Sequence, residues 1–150
     1  MPRTRLVQKE GSVQIKIVDL KAMAGQKARM RQVLMNTPKF HTWLNVYEPG
    51  QEDEMHCHNA DQTFYLVAGE CTMRFPDGTQ AVMQPGQIAL MPGGQFYQLA
   101  NVTQEKVVLL GARTLSQEKS LKIDYETRKP IFYGDEKADR PEPTGTRILV

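Results

Sequence analysis

The sequence predicts an all-β protein built as a sandwich or barrel. Three observations favour this fold class. About nine or ten short β-like runs follow one another at regular spacing, Pro-Gly and Asp-Gly turns separate them, and only one short segment has helical character. The 150 residues match one ordinary domain, and 40% hydrophobic residues are enough for one core of that size.

The first elements are a strand from Ser12 to Val18 and a segment from Leu20 to Ala28 that holds one helical turn, which is broken at Gly25. We expect the strand to add onto the sheet of a partner subunit. Five later runs also have strand character: RMRQVLMN (29–36), FHTWLNVY (40–47), GQIALMP (86–92), FYQLAN (96–101) and KVVLLGAR (106–113).

The middle of the chain is predicted to form a hairpin of Thr63 to Val67 and Cys71 to Phe75, which turns at Gly69. A second turn follows at Pro76-Asp77-Gly78, of the Asp-Gly kind that favours hairpins. The domain organisation predicted from these patterns is an N-terminal tail at 1–11, a β-barrel at 12–115 and an extended C-terminal arm at 116–150. The arm lies over the barrel or over a partner and holds one short strand around Lys122 to Tyr125.

Composition narrows the function classes. The 19 Lys and Arg residues nearly balance 17 Asp and Glu, and a net charge of +2 gives no reason to expect binding to nucleic acid or to an anionic membrane. No apolar run approaches the roughly 20 residues that span a bilayer. Cys57 and Cys71 form no CxxC pair, and the N-terminus lacks the apolar segment of a secretory signal. We therefore expect a cytoplasmic protein with free thiols.

Two of the three histidines, His56 and His58, lie two residues apart. Residues at this spacing point to the same face of a strand, so both imidazoles can reach one point inside a barrel. Gln62 begins the next strand, and Tyr97 follows a glycine-rich turn. Two imidazole nitrogens with one or two oxygens around an open position suit a divalent transition metal such as Fe, Mn, Ni, Co or Zn.

The spacing of these residues resembles the two motifs of the cupin superfamily. Residues 50–69 read G-x5-H-x-H-x3-Q-x6-G, and residues 86–101 read G-x5-P-x-G-x2-Y-x3-N. In this family Glu is usual at the position of Gln62 and His at the position of Tyr97. The resemblance covers roughly Lys39 to Arg113 and is typical of small single-domain bacterial cupins.

The resemblance implies a jelly-roll barrel of the cupin type, a homodimer, and a metal-dependent enzyme acting on a small organic molecule. Among cupin chemistries we favour an oxygenase that uses a non-haem metal. A lyase, isomerase or cyclase that uses the metal as a Lewis acid is the first alternative. The second alternative is a metal-free cupin that binds a small metabolite without turning it over.

The two departures from the family motif allow two interpretations. Replacing Glu by Gln62 removes a negative charge, and a Tyr97 phenolate bound to the metal restores it, so that the charge around the metal is conserved. The competing interpretation is a degenerate site with little metal affinity. Tyr97 and Glu54 are the candidate catalytic residues, and the third histidine, His41, is expected to be exposed or structural. Aromatic residues of the candidate substrate pocket are Trp43, Tyr47, Phe64, Phe75 and Phe96.

Overall fold

The computed structural model describes residues 4–8, 14–24 and 30–131. Within these ranges strands are the main regular structure and there is almost no helix, which confirms the predicted all-β fold class. The strands are β1 (Thr4–Gln8), β2 (Gln14–Val18), β3 (Met30–Asn36), β4 (Phe40–Tyr47), β5 (His56–His58), β6 (Gln62–Ala68), β7 (Cys71–Arg74), β8 (Gln80–Met83), β9 (Ile88–Met91), β10 (Gln98–Ala100), β11 (Val107–Thr114) and β12 (Lys122–Asp124). Helix α1 spans Leu20–Ala24, and a short 3-10 helix spans Gln117–Lys119.

Two antiparallel sheets form the jelly-roll. The larger has five strands in the order β3-β4-β11-β6-β9, and the smaller has the order β10-β7-β8. Strand β5 pairs with β12, and a bridge between His56 and Tyr97 joins β5 to the segment that leads into β10. The main core lies between these sheets, because its residues come from β4, β6, β9 and β11 on one side and from β7, β8 and β10 on the other.

The predicted hairpin of Thr63–Val67 with Cys71–Phe75 is wrong. Strand β6 pairs with β11 and β9, whereas β7 pairs with β10 and β8, so the two consecutive strands belong to different sheets. Gly69 carries the chain across with a φ of +84°, and a Cβ there would collide with the Lys106 carbonyl oxygen. The Asp77-Gly78 turn does close a hairpin, between β7 and β8.

A second apolar layer covers the outer face of the larger sheet. Val108 of β11 belongs to this layer, whereas its neighbours Val107 and Leu109 belong to the main core, as the alternation of side chains along a strand requires. Leu20 and Met23 from the α1 segment pack on this outer face. The central strands of the larger sheet are therefore buried on both faces, which explains their continuous apolar sequences.

The segments at the two ends of the barrel differ from the predicted tail and arm. Strand β1 falls within the predicted tail and pairs with β2, which begins at Gln14. The predicted short strand near Lys122 is β12, and it pairs with β5 along the length that carries both histidines. Residues 132–150 of the predicted arm lie outside the described residues. In the part of the chain that the structure describes, no helix has the length and apolarity to cross a bilayer.

Candidate functional site

The two histidines of β5 point into the barrel, as their spacing predicts. His56 is 3% exposed and His58 is 4% exposed, and their ring centroids lie 4.9 Å apart. The Nδ1 of His56 lies 2.6 Å from the Glu54 carbonyl oxygen, and the Nδ1 of His58 lies 2.8 Å from the Leu121 carbonyl oxygen. Because a carbonyl oxygen only accepts, both Nδ1 atoms carry the hydrogen, and each Nε2 retains its lone pair.

Gln62 and Tyr97 join these histidines. The backbones of His56 and Tyr97 exchange two hydrogen bonds of 2.9 and 2.8 Å, which places the Tyr97 ring 4.6 Å from the His56 ring. Gln62, the first residue of β6, donates from Nε2 to the Tyr97 hydroxyl oxygen across 2.8 Å. All four predicted metal ligands therefore meet at one end of the barrel, and each is buried.

A fifth residue, Arg113, occupies the middle of this group and was not predicted from the sequence. It is 3% exposed. Its Nε donates to Gln62 Oε1 across 2.9 Å, and its Nη2 lies 3.0 Å from His58 Nε2. We refer to His56, His58, Gln62, Tyr97 and Arg113 as the polar cluster.

Ser120 and His41 also contact the Arg113 guanidinium. Nη1 of Arg113 donates to the Ser120 hydroxyl across 3.0 Å and lies 3.4 Å from His41 Nε2. The Nδ1 of His41 lies 3.1 Å from the Leu115 carbonyl oxygen, so its Nε2 is also the acceptor. His41 is fully buried and structural, in agreement with one of the two roles predicted for it.

Arg113 also stacks on the ring of Trp43, whose centroid lies 4.3 Å from the guanidinium carbon. Gly111 makes this stack possible. It pairs with Trp43 in the β4–β11 register, and a Cβ at Gly111 would collide with the indole ring. Arg31 lies near the same ring, with its guanidinium carbon 5.0 Å from the centroid. Such cation–π contacts contribute about 0.5–2 kcal/mol each, more when desolvated.

Burial controls the protonation states of the polar cluster. Desolvation lowers the pKa of His56 to about 3 and lowers the pKa of His58 well below its ordinary value, in the second case with help from the Arg113 charge. Desolvation also raises the pKa of the Tyr97 phenol, although the Arg113 guanidinium opposes this shift. The pKa of Arg113 falls to about 9, mainly through burial. At neutral pH the cluster therefore holds one cation among neutral groups.

This arrangement does not fit a divalent metal ion. The guanidinium already engages Nε2 of His58 and Oε1 of Gln62, two of the atoms that would bind the metal. The positive charge of the guanidinium would strongly repel a metal cation bound to the same two atoms. Among the described residues, no three His, Cys, Asp or Glu side chains form a group that could hold a metal.

The remaining predicted site residues divide into core and surface. Trp43 and Phe64 are buried in the main core, as is Tyr47, whose hydroxyl donates to Asp53 Oδ2 across 2.7 Å. Glu54 does not present its carboxylate to the cluster, because that group pairs with Lys122 at 3.4 Å. Phe96 packs against Tyr125 on the other side of its strand segment, since alternation turns it away from Tyr97.

Phe75 lies instead at an open cleft with a volume of about 630 Å³. The cleft lies between the β7–β8 hairpin and β9, and its lining includes Met73, Phe75, Ala81, Ala89, Met91 and Pro92. Met91 pairs with Gln62 in the β6–β9 register, and both methionines belong to the same core cluster as Tyr97. One residue of the cleft lining, Met91, is therefore a cross-strand neighbour of Gln62 in the polar cluster.

The comparisons with known proteins agree with this architecture. Residues 43–112 match the model of the family described as "Cupin domain". The chain therefore carries a cupin domain. No curated protein matches the sequence. The cupin domain accounts for His56, His58, Gln62 and Tyr97, but Arg113, Ser120 and Leu121 follow its matched range. Cupins often bind transition metals, and some are metal-dependent enzymes.

Solved structures show the same fold. A conserved Klebsiella pneumoniae protein with a double-stranded β-helix domain is 19% identical, covers 67% of this chain and 91% of its own, and has a TM-score of 0.60. An RmlC-like cupin from Methanocaldococcus jannaschii is 17% identical, covers 61% and 84%, and has a TM-score of 0.58. The polyketide cyclase RemF from Streptomyces resistomycificus is 17% identical, covers 56% and 63%, and has a TM-score of 0.53. At these identities the likeness is one of fold.

Proposed function

We propose that this protein is a metal-independent cupin that binds a small organic molecule at the polar end of its barrel. One observation carries the proposal: the Arg113 guanidinium donates to both His58 Nε2 and Gln62 Oε1. The cupin barrel thus keeps a positive charge at its polar end, but an amino-acid side chain supplies it. Of the alternatives that the sequence leaves open, this one agrees with the geometry, whereas a metal-dependent oxygenase or lyase requires Arg113 to move away.

The cleft supports a small molecule as the ligand. Its volume of about 630 Å³ lies within the roughly 300–1,000 Å³ of ligand pockets. The lining is mostly apolar, its polar members are Asp77, Thr79 and Gln95, and its residue Met91 is the cross-strand neighbour of Gln62. A predominantly apolar pocket with a few convergent polar groups is the usual form of a binding site for an organic molecule.

The protonation states favour binding over turnover. A general base works best when its pKa lies near the operating pH. The pKa of His56 is lowered to about 3, mainly by burial, so its imidazole is a weak base. The buried Tyr97 phenol is a weak acid because its pKa is raised. We therefore propose ligand binding as the primary activity of the site.

Metal analysis of protein purified without chelator tests the metal-independent part of the proposal. We expect substoichiometric Fe, Mn, Ni, Co and Zn, and no visible absorption band when Co²⁺ is added. The double variant Arg113→Met with Gln62→Glu is the positive control, because it removes the guanidinium and supplies the carboxylate usual in cupins. We expect this variant to gain Co²⁺ binding. One equivalent of metal in the wild type, lost in His58→Ala, would contradict the proposal.

A matched pair of variants on β8 tests the cleft. Ala81 lines the cleft, whereas Val82 points to the opposite face of the same strand and is 45% exposed. Ala81→Phe should weaken the binding of small aromatic molecules at least tenfold, and Val82→Phe should leave it unchanged. Isothermal titration calorimetry measures both. Equal affinities for the two variants would place the ligand elsewhere and would contradict the proposal.

A further inference from the structure

We infer that the ligand is a small organic acid: its carboxylate binds Arg113 and Tyr97, and its apolar body lies in the cleft. This inference rests on the proposed function and adds the chemical class of the ligand. Three observations carry it: the buried cation lacks an anionic partner, the Tyr97 hydroxyl hydrogen lacks an acceptor among the described residues, and the cleft next to the cluster is mostly apolar.

The first observation concerns charge. The side-chain partners of Arg113 are Gln62, Ser120, His58, His41 and Tyr97, and all five are neutral. No carboxylate of the described residues lies within ion-pair distance of its guanidinium. Burying a charge without a counter-charge is unfavourable, and buried charges in proteins are normally paired. An anionic ligand would supply the missing partner.

The amide of Gln62 leaves this charge uncompensated. Its Oε1 accepts from Arg113 Nε, and its Nε2 donates to Tyr97. A glutamate, the residue usual here in cupins, would neutralise the guanidinium from within the barrel. The amide keeps the hydrogen bond to Arg113 and leaves the positive charge uncompensated.

The second observation concerns donors. Four hydrogen bonds engage four of the five N–H groups of Arg113, and the Tyr97 hydroxyl is a further side-chain partner of the guanidinium. The Tyr97 hydroxyl accepts from Gln62, and its own hydrogen has no acceptor among the described residues. Tyr97 is 2% exposed, so this hydrogen has no access to bulk solvent. A carboxylate accepts through both oxygens and matches one guanidinium N–H and one hydroxyl.

The third observation gives the ligand its shape. Met73 and Met91, each 3% exposed, line the cleft, and Met91 is the cross-strand neighbour of Gln62 in the polar cluster. Unbranched methionine side chains rotate readily and adapt to irregular partners. An aryl or alkyl body in the cleft would displace them and allow a carboxylate at its inner end to reach Tyr97 and Arg113.

The test uses three probes that share one apolar body: phenylacetate, phenylacetamide and phenethylamine. Trp43 is the single tryptophan of the chain and stacks on Arg113, so its fluorescence should report binding, with calorimetry as the second readout. We expect phenylacetate to bind at least tenfold more tightly than phenylacetamide, and phenethylamine to bind most weakly. The preference should decrease at high salt, because part of it is electrostatic.

Gln62→Glu is the decisive variant. The new carboxylate has the shape of the amide, accepts from Arg113 and receives the Tyr97 hydroxyl hydrogen, so the fold should be retained. We expect it to remove the preference for phenylacetate, because the guanidinium then has an internal counter-charge. Tyr97→Phe, which removes one carboxylate donor and keeps the charge, should reduce the preference without removing it.

The outcomes separate this inference from the proposed function. If phenylacetamide binds as tightly as phenylacetate, the ligand class is wrong and small-molecule binding stands. If Gln62→Glu keeps the preference for the acid, Arg113 is not the anion-binding group and the inference is overturned. If no probe binds, the inference also fails. Stoichiometric metal in the wild type overturns the proposed function itself.

Discussion

Arg113 Nη2 lies 3.0 Å from His58 Nε2, and this contact joins the last inward-facing residue of β11 to the last residue of β5. The imidazole lone pair that a metal would take is the acceptor of this hydrogen bond. Arg113 thus occupies a lone pair that a metal would need, although the two histidines have the spacing that the sequence predicts for a metal site.

Removing the hydroxyl of Tyr97 should destabilise the fold. Tyr97→Phe leaves the buried Gln62 Nε2 without its acceptor, and an unsatisfied buried donor costs about 1–3 kcal/mol in free energy of unfolding. Tyr65→Phe is the control, because Tyr65 is 40% exposed and should change stability by less than about 0.5 kcal/mol. Urea unfolding of both variants measures the difference. Equal effects would show that the Gln62–Tyr97 hydrogen bond contributes nothing.

Stability should decrease as the pH falls below about 6.5. The folded state lowers the pKa of His41 to about 4 and of His56 to about 3, chiefly by burial, so below pH 6.5 the unfolded chain binds more protons. Each such histidine should reduce the free energy of unfolding by about 1.4 kcal/mol per pH unit until its folded pKa is reached. Urea unfolding at pH 7.5, 6.5 and 5.5 gives the slope, and His41→Asn should lower it by one proton.

The three histidines also allow a direct measurement. Their ring Hε1 resonances in NMR spectra should show no titration between pH 7.5 and pH 5. A resonance that titrates near pH 6.5 would identify an imidazole that is exposed to solvent, and would contradict the burial of these side chains.

Adding a methyl group at Gly111 should disrupt the stack of Trp43 on Arg113. The new Cβ would collide with the indole ring, and overpacking of this kind typically costs about 1–3 kcal/mol. Ala112→Ser, on the other face of the same strand, should have a much smaller effect. Tryptophan fluorescence and urea unfolding measure both variants. A Gly111→Ala protein with wild-type stability and an unchanged emission spectrum would contradict the stacking geometry.

Alanine substitutions at Gly69 and Gly50 distinguish the cost of backbone strain from the cost of a steric collision. Gly69 and Gly50 both have a φ of +84°, so alanine should cost about 1 kcal/mol or more at either position. A Cβ at Gly69 would also collide with the Lys106 carbonyl oxygen, whereas a Cβ at Gly50 would have no atom within 4 Å. We expect Gly69→Ala to reduce the free energy of unfolding by a further 1–3 kcal/mol or so. Equal losses would show that the crossing between sheets relaxes freely.

The sequence predicts the fold well where local patterns determine it. The strands from β3 to β11 follow runs of apolar or alternating residues, and the glycine and proline spacing identifies the cupin motifs. The partner of each strand is not a local property. Cys71–Arg74 follows β6 after a short turn, which favours a hairpin, but the jelly-roll places it in the opposite sheet.

The candidate site is predictable only in part. His56, His58, Gln62 and Tyr97 are found from spacing and from the family motif, because strand alternation places the histidines on one face. Arg113 was missed because arginine is seldom fully buried, and the run KVVLLGAR reads as an apolar strand that ends at a charge. Its inward alternation with Val107, Leu109 and Gly111 was the available signal. The hydrogen-bond acceptors that stabilise buried Arg113 come from distant parts of the chain, so no local sequence pattern reveals them.

Two residues of the segment after the barrel contact the polar cluster: the Ser120 hydroxyl accepts from Arg113, and the Leu121 carbonyl oxygen accepts from His58. A minimal version trimmed to residues 43–112 would retain both inward-facing imidazoles and lose the cation, its serine support and the carbonyl that orients His58. Replacing the C-terminal extension on the same barrel would therefore change the surroundings of Arg113 and His58 without altering a single motif residue.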